Sequence, residues 1–238
     1  MARLTPRGWR NAATPHTPPS AAGNARAVDK GGARRSRERQ TGPMIGLDDK
    51  ADLRIYLQDA RDALLWKLEG LSEYDIRRPV TPTGTNLLGL VKHVTSAEAV
   101  YFGETFGRPF AAPALWITGD AEPNSDMWAT PDETRDRIVG LYRDVWAHSD
   151  ATIESLPLDA LGQVPWGKRA ELTLHRILVH VIAETQRHAG HADIVRELVD
   201  GTVGLRNGDD NVAPGDSAWW EAHRNRLERA AREADRGA

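Results

Sequence analysis

The 238-residue chain contains no cysteine. That excludes a disulfide scaffold, Cys-ligated zinc, an iron–sulfur cluster and a cysteine nucleophile. No stretch reaches the roughly 18 apolar residues that a membrane-spanning helix needs. The N-terminal region has no apolar core of a secretory signal. Its Arg34-Arg35 pair runs into Gly42-Pro43-Met44-Ile45-Gly46 instead of the hydrophobic segment a twin-arginine signal requires. A cytoplasmic protein is therefore expected. There is no βαβ alternation, no GxGxxG or P-loop glycine pattern, no HExxH and no internal repeat. What remains is a chain with 40% hydrophobic and 27% charged residues, sufficient for one buried core.

Charge divides it unevenly. Residues 1–43 hold 9 Lys/Arg against 2 Asp/Glu, whereas 44–238 hold 22 against 32. The acidic larger part argues against a nucleic-acid surface. The basic part is rich in Pro, Gly, Ser and Arg and lacks apolar periodicity, so nothing in it offsets the entropy of ordering. It reads as a disordered basic tail or as sequence from an upstream start codon, with the domain beginning near Met44. Arg outnumbers Lys 26 to 5, a compositional sign of GC-rich coding.

From there, four segments repeat apolar residues at helical spacing. They are 49–71 (Leu53, Leu57, Ala60, Leu64, Leu68, Leu71), 86–105 (Leu87, Leu90, Val94, Ala97, Tyr101), 131–155 (Ile138, Leu141, Val145, Ile153) and 173–200 (Ile177, Val181, His188, Ala192, Val195). Thr130-Pro131-Asp132-Glu133 reads as a capping box with proline at the first helical position of the third, and Gly201 ends the fourth. The connections 72–85, 106–129 and 156–172 are long and carry prolines. The expected fold is all-α, an antiparallel four-helix bundle over 44–200 with long loops. Residues 201–238 add a loop and an extra C-terminal helix, about 217–234, packed on the bundle.

Chemistry concentrates on the fourth segment. With Glu184 at zero and about 100° per residue, His180 falls near −40°, His188 near +40° and His191 near −20°, on the same side as Ile177, Val181 and Ala192. His175 falls on the opposite side. A carboxylate on a core-facing surface is costly unless paired or bound to a cation. Glu184 and His188, four residues apart, can converge on one point. His93, beside Leu90 and Ala97 on the second segment, is the candidate for a third ligand. Two histidines and a carboxylate with open positions suit a catalytic zinc or a related divalent metal. His180 and His191 could replace either ligand or orient one from behind. The residues alone leave a second reading open: an internal Glu184–His188 ion pair in a hydrogen-bonded core. Paired Glu-x-x-His motifs of a di-iron site are absent, since Arg187 stands three residues after Glu184.

Leu87-Leu88-Gly89-Leu90-Val91-Lys92-His93-Val94 followed by Ala183-Glu184-Thr185-Gln186-Arg187-His188-Ala189-Gly190-His191-Ala192-Asp193 resembles the DinB-like superfamily. Its nearest branch is the one around mini-circle proteins and mycothiol-dependent maleylpyruvate isomerases. The resemblance covers roughly 46–200. It implies a four-helix bundle holding one divalent metal, zinc or nickel, on three side chains. The family's usual pattern is His…His-x-x-x-His. Glutamate replaces its middle histidine here, as in those isomerases, which makes His93, Glu184 and His188 the implied ligands. It also implies transfer or isomerisation chemistry with a low-molecular-weight thiol.

A chain without cysteine must take that thiol from a cosubstrate. A metal-ionised thiolate would attack a small electrophile, with His180 or His191 moving a proton. Trp116, Trp128 and Trp166 in the long loops could wall a pocket or cover core. Arg169 and Arg206 are weak candidates for an anionic substrate group. Two rivals stand beside this thiol S-transferase reading. One is a metal-dependent hydrolase at the same site. The other is a non-catalytic, stress-linked metal-binding or dimeric interaction protein, with Trp219-Trp220 at a homodimer contact.

Overall fold

A computed structural model describes residues 49–111, 116, 121–165, 171–210 and 212–236. Its helices are α1 (Asp49–Trp66), α2 (Glu73–Arg77), α3 (Leu87–Phe102), α4 (Arg135–Ser155), α5 (Leu174–Asp200) and α6 (Ser217–Arg236). A 3-10 turn at Glu104–Phe106 follows α3. A two-stranded antiparallel hairpin, β1 (Leu161–Gln163) and β2 (Glu171–Thr173), precedes α5 with Gly162 opposite Leu172. The sequence showed no sign of these strands because each is only three residues long.

The all-α expectation holds: α1, α3, α4 and α5 form the bundle. One core cluster joins Leu64 and Leu68 to Leu87–Val94, Ile138 and Tyr142, and Ala189–Val195. The other joins Leu57 to Tyr101 and Phe102, Ile153, and Leu174–Val181. So α1 and α5 run one way and α3 and α4 the other. The connection 103–134 must therefore travel the length of the bundle, which is why it is long.

The sequence explains α3 as the central helix. All of its 16 residues are buried except His93 and Ala97. Asn86 caps it, accepting from Gly89 N at 2.8 Å, and Asn86 Nδ2 donates to Met127 O at 3.1 Å. Gly89 permits that approach: a Cβ there would lie 1.8 Å from Met127 O. Side-chain caps also start α4 at Thr134 and α5 at Thr173, and Gly201, at φ 78°, ends α5.

Two boundaries differ from the sequence expectation. Helix α1 stops at Trp66 instead of continuing to 71. Tight i to i+3 turns follow, and Arg196 Nη1 donates to Lys67 O at 3.0 Å and Glu69 O at 2.8 Å. Helix α4 starts at Arg135, not at Pro131. Glu133 Oε2 does accept from Thr130 N at 2.8 Å as a capping box would. The same carboxylate also takes Lys92 Nζ at 2.8 Å and Trp116 Nε1, so the turn is held against α3 and the helix begins one turn later.

Helix α6 carries Trp219, Trp220 and Leu227 along one side, all exposed, and none of its residues is buried. The packing of this helix on the bundle expected from the sequence therefore has no buried face in α6 behind it. Among the described residues, no helix is long and apolar enough to cross a membrane.

Candidate metal centre

The one polar side chain that α3 leaves uncovered, His93, faces α5. There it meets Glu184 and His188, one turn apart on that helix. His188 Nε2 lies 3.1 Å from Glu184 Oε1, and His93 Nε2 lies 3.6 Å from the same oxygen. The two imidazole rings meet edge to face at 4.7 Å. One ligand atom from each of the three residues falls within 4.8 Å of the others. Side-chain exposures of 21%, 26% and 10% for His93, Glu184 and His188 leave one side of the group open. Two imidazoles and a carboxylate around a common point suit a divalent cation such as zinc, and the group could hold a metal ion.

The electrostatics are those of a crowded charge cluster. Hydrogen bonding to His188 and His93 holds the Glu184 carboxyl far below the usual carboxylate range against the opposing effect of burial. Burial disfavours a charged His93, but Asp126 and Glu184 outweigh it and raise its pKa to about 9. His93 Nδ1 contacts Asp126 Oδ2 at 2.6 Å. Burial works against the Asp126 carboxylate too, yet His93 holds its pKa below the ordinary value.

Sequence reasoning did not find Asp126. It sits in the 106–129 connection, where no periodicity marks a residue as inward-facing. The close approach of that connection to Gly89, one turn before His93, is what brings it in.

The other candidates are placed less centrally. His191 is exposed, its ring 5.4 Å from that of His188. His180 lies one turn before Glu184 with its ring against Tyr101 at 4.7 Å. Burial lowers the pKa of both. Trp116 donates to Glu133 and lies under Lys92 Nζ, 4.4 Å from the ring centre. Trp128 is exposed, and its carbonyl accepts from Lys92 Nζ at 2.8 Å. Trp166 and Arg169 lie outside the described residues. Arg206 is across the bundle, where it helps line a cavity of about 480 Å³ between α1, α4 and residues 205–207. That cavity shares no residue with the His93 group.

Residues 52–201 match the family model described as mycothiol-S-transferase. No curated protein matches the sequence. A solved structure, a conserved protein from Enterococcus faecalis, is similar at 14% identity over 64% of this chain and 95% of that one, with a TM-score of 0.43.

Proposed function

The chain belongs to the mycothiol-S-transferase family, and on that premise we propose that it is a divalent-metal-dependent transferase joining a low-molecular-weight thiol of the mycothiol type to a small electrophile. The observation that carries the reading is the convergence of His93, Glu184 and His188 ligand atoms within 4.8 Å, inside the matched segment. These three residues would hold the metal, zinc first and nickel second. A bound divalent cation lowers the pKa of a coordinating thiol and so supplies the thiolate.

The rest follows from the chain's own residues. The absence of cysteine means that no internal thiol competes for the site. The two imidazoles and one carboxylate leave coordination positions open, and the exposed side of the group is where thiol and electrophile would enter. Sulfur forms its bond to the electrophilic carbon as the leaving group departs. His191, on the solvent side of His188, would pass the thiol proton to water. The contact between half-buried His180 and buried Tyr101 would form the wall one turn away.

The test is conjugation of monochlorobimane by the zinc-loaded full chain, with mycothiol or cysteine as the thiol. The reading expects turnover that needs both zinc and thiol and that disappears in Glu184→Ala. Zinc-dependent ester hydrolysis without thiol would replace it with the hydrolase reading. A zinc-loaded protein inert toward every thiol and electrophile pair would contradict catalysis altogether.

A further inference from the structure

We infer that Asp126 is a positioning residue of this centre, fixing the tautomer and plane of His93 and tying the 121–129 segment to metal occupancy. The inference rests on the metal reading above and names a residue that no sequence motif marks.

An ionised carboxylate only accepts, so the 2.6 Å contact of Asp126 Oδ2 places a proton on His93 Nδ1. The lone pair of the neutral ring is then on Nε2, the atom that faces Glu184. His188 has no such support among the described residues: its Nδ1 is buried and meets no hydrogen-bond partner there. Among the described residues, His93 is therefore the imidazole of the two that is oriented from behind. A carboxylate in this position fixes the ring and raises the basicity of the ligating nitrogen.

Asp126 is itself held through the two residues that follow it. The next residue, Met127, gives its carbonyl to Asn86 Nδ2, and Trp128 gives its carbonyl to Lys92 Nζ. Gly89 supplies the space for this contact. Three consecutive residues of the segment are thus fastened to α3 at Asn86, Lys92 and His93, around the first two turns of the helix. Lys92 and His93 are adjacent, so the buried lysine anchors the segment while the histidine carries the metal side. Coupling between two events is reciprocal. If Asp126 strengthens metal binding through His93, bound metal must in turn stabilise the segment that carries Asp126.

The experiment measures zinc affinity of the full chain by competition with a chromophoric chelator, for wild type, Asp126→Asn, Asp126→Ala and Asp126→Glu. Melting temperature of each metal-free protein is recorded beside it. Loss of the carboxylate is expected to weaken zinc binding about tenfold to a hundredfold. Alanine should lose more than asparagine, which still accepts a hydrogen bond, and glutamate should recover part of the loss. The isosteric asparagine variant should melt with wild type, which separates positioning from folding. Amide exchange at residues 125–128 should slow when zinc is added to wild type and not to Asp126→Ala. Wild-type affinity in both Asn and Ala variants would overturn the role of Asp126 while leaving the metal reading intact. A wild-type chain that does not bind zinc would overturn the metal reading and this inference with it.

Discussion

Helix α3 carries a charged or titratable side chain into each of two polar clusters, and the two are satisfied in opposite ways. Glu98 is fully buried and meets the Arg61 guanidinium of α1, with side-chain exposures of 0% and 1%. Arg61 also reaches Asp150 Oδ1 of α4 at 3.0 Å and Gln58 Oε1 at 3.1 Å. Burial pushes the Glu98 carboxyl up, and Arg61 opposes it. Cation and anion answer each other, so the cluster is closed. His93, five residues earlier, belongs to a cluster in which one carboxylate oxygen serves two imidazoles and one side faces solvent. A closed pair ties three helices together, whereas an open one keeps capacity for a ligand. Polar residues inside a bundle therefore do not by themselves indicate a site. What separates the two is burial: the Arg61–Glu98 pair is shut off from solvent, whereas the His93 group is partly exposed.

The sharpest way to break this contrast is to unbalance the closed pair. Arg61→Ala strands Glu98 in the core and should cost about 3–5 kcal/mol, read from guanidinium unfolding. Replacing both partners with Arg61→Met and Glu98→Leu should recover most of the loss. If the single variant were as stable as wild type, the pair would not be the structural tie described here.

A smaller effect is expected where the second cluster is anchored. Asn86→Ala removes the cap of α3 and should cost about 1 kcal/mol in the same unfolding experiment. It also frees Met127 O, so zinc affinity should drop by severalfold. An unchanged affinity would separate the cap from the site.

The anchoring turn should also respond to acid. Burial opposes a charged Glu133, but Lys92, the Thr130 N–H and Trp116 outweigh it and hold its carboxyl below the ordinary 4.5. A depressed value means that the contribution to stability is complete above the ordinary pKa and is lost as pH falls through the depressed one. Between about pH 6 and pH 3 the urea midpoint of wild type should fall further than that of Glu133→Gln. Parallel curves would mean that Glu133 does not stabilise the turn.

The smallest effect belongs to the exposed ion pair between α1 and α4, where Arg54 Nη1 lies 2.6 Å from Glu154 Oε2. Arg54→Ala should change stability by about 0–1 kcal/mol. A larger loss would show that the α1–α4 side depends on its surface charges as well as on Arg61.

The sequence made some of this legible and not the rest, for physical reasons. Apolar repeats at helical spacing mark α1, α3, α4 and α5 because each helix buries a stripe or, for α3, nearly its whole surface. The i, i+4 relation of Glu184 and His188 is a property of one helix and can be read directly. Arg61 could not be recognised as a core residue, because arginine beside Ala60 and Leu64 looks like a solvated position until Glu98 arrives from another helix. Asp126 depends on a connection packing against Gly89, a long-range event with no local pattern. The start of α4 at Arg135 is hidden because Glu133 has the right spacing for a capping box but is recruited by Lys92 and Trp116. Local signals were reliable where one element uses its own residues, and failed where a side chain answers to a distant partner.

The open cluster should bind a metal and the closed one should not. The direct measurement is metal content by mass spectrometry on the full chain, purified without a polyhistidine tag, for wild type, His93→Ala, Glu184→Ala, His188→Ala and Glu98→Gln. About one equivalent of divalent metal is expected in wild type, retained in any Glu98→Gln protein that folds and lost from each of the other three although they remain folded. A wild-type protein that takes up neither zinc nor nickel on refolding, or three site variants that keep the wild-type amount, would contradict it.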